Sequence, residues 1–487
     1  MHKSTIQRGR FAPVISREII MHAYHLLING QLVPGASTMD VINPATGEVL
    51  AVAPRADAAQ LDEAVAAAKA AFPAWAALTM AARREKLFAI ADALEARIDE
   101  FARLLTAEQG KPFADAMGEV GGSVYMLRAL GALDLPHKIL REDETQKIVE
   151  HRTPLGVVAA ITPWNFPLSL LIIKITPALL AGNTVVAKPA PTTPLTSLLL
   201  GELVNAILPP GVLNVIADQN DLGKLLTSHK DVAKISFTGS SATGKKVMES
   251  AAGTLKRLTL ELGGNDVGIV LDDVNVKEVA PKVFAGAMVN SGQVCLALKR
   301  LYVPDAMYDE MCDELAVLAD AAVVQDGMMQ GVQYGPVQNK AQYDKVRALI
   351  EDTRAEGKII AGGVPHEGPG YFIRPTIVRD IADDARLVRE EQFGPVLPVL
   401  RYSTLEDVIE RANDTTFGLG GSVWTANPER GLEVAMQLDS GVVWVNQHLV
   451  VHPDIPAGGS KQSGMGQELG LEGLQEFTQV HVVYMAK

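Results

Sequence analysis

Apolar residues along the chain fall into two kinds of pattern, short continuous runs and longer stretches with a helical period. From about 57 to 110 the pattern is Ala-rich and helical. Asp57 stands where an N-cap belongs, Leu61, Val65 and Ala68 share a face, and Ala89–Leu105 keeps the same spacing. Ile148–Val158 alternates and runs into Leu155–Ile161, the signature of a buried strand. Thr184–Lys188 predicts another strand, Leu195–Leu208 a helix, Val212–Ile216 and Lys234–Thr238 strands, and Ala242–Ala252 a helix. The alternation resumes after residue 265 with strand Val267–Val270, helix Val279–Val289, strand Arg300–Val303 and helix Asp305–Val323. Strands alternating with helices at this spacing predict α/β architecture with mostly parallel, doubly wound sheets. Two such units follow one another, the second beginning near Gly263.

Composition narrows the class. A chain of 487 residues, 48% hydrophobic and 21% charged, is long enough for two or more domains with substantial cores. A net charge of −13 without a basic stripe argues against nucleic acid as a partner. Two cysteines, Cys295 and Cys312, cannot frame a chain this size and fit a reducing cytoplasm. No apolar run reaches the roughly 18–20 residues that span a bilayer, and Leu168–Ile173 reads as buried packing. Residues 1–20 carry Lys3, Arg8, Arg10 and Arg17 without an apolar core, so they read as a disordered extension rather than a secretory signal.

Several residues stand where chemistry is possible. Cys295 follows Asn290-Ser-Gly-Gln-Val at the end of a helical stretch, where Gly292 lets the backbone turn a thiol into a cleft. A small buried hydrophobe is the alternative reading, and the one that suits Cys312. Glu261 sits between leucines and is followed by Gly263-Gly264, which suits a strand end facing a crevice with raised basicity. An exposed edge carboxylate is the competing reading. Phe237-Thr-Gly-Ser-Ser-Ala-Thr-Gly244 follows a strand and opens a helix, where backbone N–H groups favour a phosphate. Gly239 and Gly244 do not, however, match the usual dinucleotide spacing. Asn165, in Pro163-Trp-Asn-Phe-Pro167, is an amide on a stiff turn that could donate to an oxyanion or simply hold the turn. Lys188 ends a strand before Pro189 and could meet ribose hydroxyls or snorkel to solvent.

In this order, these segments resemble the aldehyde dehydrogenase superfamily. The carriers are Pro163-Trp-Asn-Phe-Pro, Lys188-Pro, Phe237-Thr-Gly-Ser, Glu261-Leu-Gly-Gly, Gly292-Gln-Val-Cys, Glu391-Gln-Phe-Gly-Pro and Gly458-Gly-Ser-Lys-Gln-Ser-Gly464, spread from about residue 25 to the C-terminus. The resemblance implies Cys295 as nucleophile, and Asn165 with the Cys295 backbone N–H as oxyanion hole. It implies Glu261 as the base for the hydrolytic water, and Lys174 with Glu468 as a proton-relay pair. On the cofactor side it implies Lys188 at the adenosine ribose, Ser240 at the pyrophosphate, Glu391 at the nicotinamide ribose and Phe393 beside the nicotinamide. Trp164, Pro191, Gly239, Gly244 and Leu262 complete that set.

The implied fold has a cofactor domain (21–128 and 151–262), a catalytic domain (263–462) and a small β oligomerisation element (129–150 and 474–487) serving a homodimer or homotetramer. No metal is expected. Two departures bear on specificity. Pro191 stands where many NAD-preferring members carry a ribose-binding Glu, which predicts NAD with NADP also accepted. Ala457 replaces an aromatic wall in Pro456-Ala-Gly-Gly459; with Phe166, Leu170 and Leu296 around the cleft and no Arg among them, an apolar or aromatic aldehyde is expected. A CoA-acylating enzyme is disfavoured because Glu261 is present. A catalytically silent binding or structural member is disfavoured because Cys295 and Asn165 are intact. A cofactor-free thiol hydrolase would not need Lys188, Ser240 and Glu391.

Overall fold

The computed structural model describes residues 22–364 and 366–487; the expected extension at 1–20 lies outside them. Two large sheets organise the chain. The first has eight strands in the order Gly464–Met465, Arg257–Glu261, Val232–Thr238, Val157–Ile161, Thr184–Lys188, Leu213–Val215, Leu26–Ile28 and Gln31–Val33. The five from Arg257–Glu261 to Leu213–Val215 run parallel. After Val157–Ile161 the chain adds strands on one side, then returns to add Val232–Thr238 on the other. That reversal opens a crevice at the carboxyl ends of these two strands, the place where parallel sheets receive ligands.

Helices cover both faces because their apolar stripes need burial. Asp57 caps Ala58–Ala76 by accepting from Gln60 N, and Leu61, Ala64, Val65 and Ala68 turn inward. The stretch Ala89–Leu105 is not one helix. Met80–Glu95 ends near Arg97, whose φ of −120° and ψ of 21° leave the helical region, and Ile98–Gln109 starts afresh to stop at left-handed Gly110. Each half keeps a helical period, so the break is invisible to periodicity. The segment read as running continuously into Val157–Ile161 also divides. Gly156, at φ 131°, separates the half-buried Gln146–Pro154 from the fully buried Val157–Ile161, and the two strands join different sheets.

The second sheet orders its strands Lys358–Ala361, Thr376–Arg379, Val396–Tyr402, Leu298–Pro304, Asp266–Val270, Gly420–Trp424 and Val442–Val445. All pairs but the first are parallel. Only Leu262-Gly-Gly-Asn265 links the end of Arg257–Glu261 to the start of Asp266–Val270. The carboxyl edge of one sheet therefore faces the amino edge of the other across this link. A third, antiparallel sheet pairs Thr478–Ala486 with Gln146–Pro154 and Lys138–Glu142. No helix among the described residues is long and apolar enough to cross a membrane.

Candidate active site

The nucleophile candidate is positioned by strained backbone. After helix Val276–Met288 the chain passes through Asn290 (φ 49°), Ser291 (φ 55°) and Gly292 (φ 70°) before reaching Cys295. Gly292 is required twice over, because a Cβ there would lie 2.2 Å from the Gly394 carbonyl oxygen. The loop carrying Glu391 and Phe393 is thereby packed directly on the loop carrying Cys295. Lys299 stitches the turn below by donating to the carbonyls of Val294 (2.9 Å), Cys295 (2.6 Å) and Ala297 (3.1 Å). Cys295 keeps partial exposure. Burial nevertheless pushes its thiol up to about 12, with Lys299 pulling down and Asp266, Glu261 and Glu391 pushing further up.

Asn165 comes from the loop after Val157–Ile161. Its Nδ2 donates to the Gln293 carbonyl at 2.9 Å, two residues before Cys295. Its own carbonyl accepts from Lys111 Nζ (3.1 Å) and Asn290 Nδ2 (3.2 Å). Lys111 forms a buried ion pair with Glu119 and sits 3.8 Å from the centre of the Phe166 ring. Glu119 Oε1 in turn accepts from the N–H groups of Leu168 and Ser169, at the start of helix Pro167–Leu180. Gln109 closes the circuit, donating to Asn290 Oδ1 at 3.2 Å and accepting from Lys111 N at 2.9 Å. This buried network ties the turn of Asn165 to the turn of Cys295.

Glu261 ends its strand as expected. Its Oε1 is buried and has no hydrogen-bond partner. Burial holds its carboxyl well above the usual range, the charge of Glu468 adds to the rise, and Lys174 opposes it. Lys174 Nζ is 2.5 Å from Glu468 Oε1 and 3.3 Å from Ser236 Oγ. Glu468 is fixed by an antiparallel bridge to Ala457, with N···O distances of 2.8 and 2.9 Å. One of the substrate-wall candidates and one of the relay candidates thus share a single backbone pairing.

The cofactor candidates divide into three groups. At the reaction centre, Glu391 Oε1 accepts from Gly264 N at 2.9 Å, and Trp164 and Phe393 meet edge to face at 5.3 Å. A side chain at Gly263 would run into the Glu391 carboxylate at 2.6 Å. At the crevice, Ser240 is exposed and caps helix Ser241–Ala251 by accepting from Thr243 N at 3.2 Å. Gly239 donates its N–H to the Glu261 carbonyl at 3.0 Å. Gly244 is buried against Leu262, whose Cδ2 a Cβ at 244 would approach to 2.5 Å, so these two residues pack behind the turn. Furthest out is Lys188. It does not snorkel to solvent: its ammonium is buried in an ion pair with Asp218, while Pro191 stays half-buried beyond it. Phe166, Leu170, Leu296 and Ala457 are all partly exposed, unlike the core around them.

A family model described as "Aldehyde dehydrogenase family" matches residues 32–483. The chain belongs to the aldehyde dehydrogenase family. Phenylacetaldehyde dehydrogenase of Pseudomonas fluorescens is 40% identical, over 95% of this chain and 96% of the relative. The mitochondrial succinate-semialdehyde dehydrogenase of Arabidopsis thaliana is 39% identical, over 92% and 86%. The NAD+ complex of aldehyde dehydrogenase from Bacillus cereus superposes with a TM-score of 0.94 at 35% identity, covering 96% of this chain and 98% of the other.

Family motifs pointed to Cys295, Glu261 and Asn165 but not to the residues behind them. Lys111, Glu119, Asn290, Asp218, Lys299 and Asp266 were missed. A signal existed for Lys111, which stands in Gln109-Gly-Lys-Pro112. A lysine between Gly and Pro is held on a fixed backbone, as Lys188 is before Pro189. Burial pushes Asp266 up to about 7, and nothing in its local sequence announces that.

Proposed function

We propose that this enzyme oxidises an apolar or aromatic aldehyde to the carboxylic acid with NAD, accepting NADP more weakly, through a thioester on Cys295. The buried, unpartnered Oε1 of Glu261, a carboxylate close enough for its charge to act on the Cys295 thiol, carries this reading. The residues present fit a dinucleotide. The Gly239–Ser240 turn opens a helix at the sheet's crevice, and Gly263 leaves the Glu391 carboxylate room beside Cys295.

Cys295 Sγ, which is partly exposed, loses its proton to water and attacks the aldehyde carbon. The carbonyl oxygen, now an alkoxide, is held by the free N–H of the Asn165 amide and by the Cys295 backbone N–H. A bound nicotinamide supplies hydride acceptance, which leaves the sulfur-bonded carbon at the acyl level. Glu261 then takes a proton from water as the water attacks the thioester. The carbon–sulfur bond breaks, the acid leaves and Cys295 is released as the thiolate. Lys174 and Glu468 form the relay that carries the water's proton away from Glu261 and frees it for the next turnover.

Phe166, Leu170, Leu296 and Ala457 line the substrate side, with Trp444 and His448 beside Leu296. His448 packs against Trp444 at 4.9 Å and bonds the Leu296 carbonyl at 2.7 Å; burial lowers it to about 4, so it is neutral. An apolar wall with a neutral imidazole, and with the Lys111 cation buried behind Phe166 in its ion pair with Glu119, suits an uncharged substrate. Residues 21–128 with 151–262 form the cofactor domain, 263–462 the catalytic domain, and 129–150 with 474–487 the assembly element. That element exposes Ile139, Leu140 and Tyr484 on a three-stranded sheet, which fits a homo-oligomer. The setting is the cytoplasm.

An NAD(P)H absorbance assay across an aldehyde panel, with and without CoA, tests the reading. CoA-independent turnover that is greatest for apolar or aromatic aldehydes and absent in Cys295→Ala is expected. Turnover only with CoA, or greatest kcat/KM for a carboxylate-bearing semialdehyde, would contradict it.

A further inference from the structure

Read outward from Glu261, the carboxyl edge of the first sheet presents the Gly239–Ser240 turn, the Trp164–Asn165 loop, Lys188 and then Asp218. With the reacting end of the dinucleotide at Cys295, its adenosine end falls toward the last two. Lys188 ends Thr184–Lys188, and Asp218 follows the neighbouring parallel strand, with Val185 opposite Leu213 and Ala187 opposite Val215. Their side chains are 4% and 0% exposed and form an ion pair. Asp218 Oδ2 also accepts from Leu222 N at 2.8 Å, so both carboxylate oxygens are held in place. Arg55, whose neighbour Ala56 donates its N–H to the Ala217 carbonyl at 2.8 Å, is bound to Asp221 at 2.9 Å.

A phosphate on the adenosine ribose brings close to two negative charges at neutral pH. It needs a cation whose charge is free. A ribose hydroxyl needs only hydrogen-bond partners. We propose that Asp218 is a specificity-determining residue for the cofactor: by neutralising Lys188 and holding it inward, it selects an unphosphorylated adenosine ribose. Pro191 supplies no carboxylate from its own loop, and Asp218 supplies the negative charge from the loop of the adjacent strand. Being fully buried, it acts through Lys188 and is a positioning residue. The inference rests on the cofactor placement proposed above.

Calorimetric titration of the full-length enzyme with NAD, NADP, 5′-AMP and 2′,5′-ADP tests it without turnover. Wild type should bind NAD about tenfold more tightly than NADP, the worth of one charge-assisted hydrogen bond. Asp218→Asn and Asp218→Ser should tighten NADP and 2′,5′-ADP about tenfold while 5′-AMP stays within about twofold. Adding Lys188→Gln to Asp218→Asn should abolish the gain. A merely structural role would weaken all four ligands together, and that result, or an unchanged ratio, would overturn the inference. Equal affinity of wild type for NAD and NADP would overturn it without any variant. Failure of wild type to bind NAD at all would instead refute the cofactor placement.

Discussion

Lys174 Nζ lies 2.5 Å from Glu468 Oε1, and these two residues pull Glu261 in opposite directions. The proton affinity of the base is therefore adjustable from either partner. Lys174→Met removes the influence that lowers Glu261, so the acid limb of the kcat profile should move to higher pH. Glu468→Gln removes one that raises it, so the limb should move to lower pH. Each displacement should be about one pH unit, equivalent to roughly 1.4 kcal/mol. pH profiles of kcat for wild type and both variants check the signs; shifts in the same direction would contradict the assignment.

Lys111 and Glu119 hold the turn of Asn165 from behind. Lys111→Met leaves the Glu119 carboxylate buried without its partner, which costs about 3–5 kcal/mol. Adding Glu119→Gln should restore much of the lost stability. Neither variant should regain full kcat, because the Asn165 carbonyl has still lost the Lys111 hydrogen bond. Thermal unfolding and kcat measured on the three proteins separate the two effects.

Asp266 gives the enzyme a distinct stability profile. Burial raises it to about 7 in the folded protein, against about 3.9 in the unfolded chain. The folded state thus keeps a proton that the unfolded state has released. Its stabilising contribution is complete below about pH 4 and is lost as pH rises toward 7. At full burial the swing is of order 4 kcal/mol. Asp266→Asn should raise Tm at pH 8 and change it little at pH 4, as scanning calorimetry at the two values would show.

The parallel α/β order was legible because buried strands such as Thr184–Lys188 and Val267–Val270 are uninterrupted apolar runs. The break at Arg97 was not, since helices on either side of it share one period. Gly156 hid a change of sheet, because only Leu155 and Gly156 separate the two strands and no turn sequence stands between them. At the site, Cys295, Glu261 and Asn165 are each marked by neighbouring Gly or Pro that fix the backbone. Lys111 with Glu119, and Lys188 with Asp218, are pairs formed across the fold. Charge pairing between distant segments leaves no trace in local sequence, so only half of each pair could be read, or neither.

The claim that Glu261 releases an acyl group from Cys295 is tested most directly with Glu261→Gln mixed with NAD and an aromatic aldehyde, then quenched in acid. Intact-protein mass spectrometry should show one acyl adduct per subunit, mapped to Cys295, after a burst of one NADH. Steady turnover should fall by about 10²–10⁴-fold, the usual worth of a general base. A variant that turns over at the wild-type rate, or that forms no adduct on Cys295, would contradict the account.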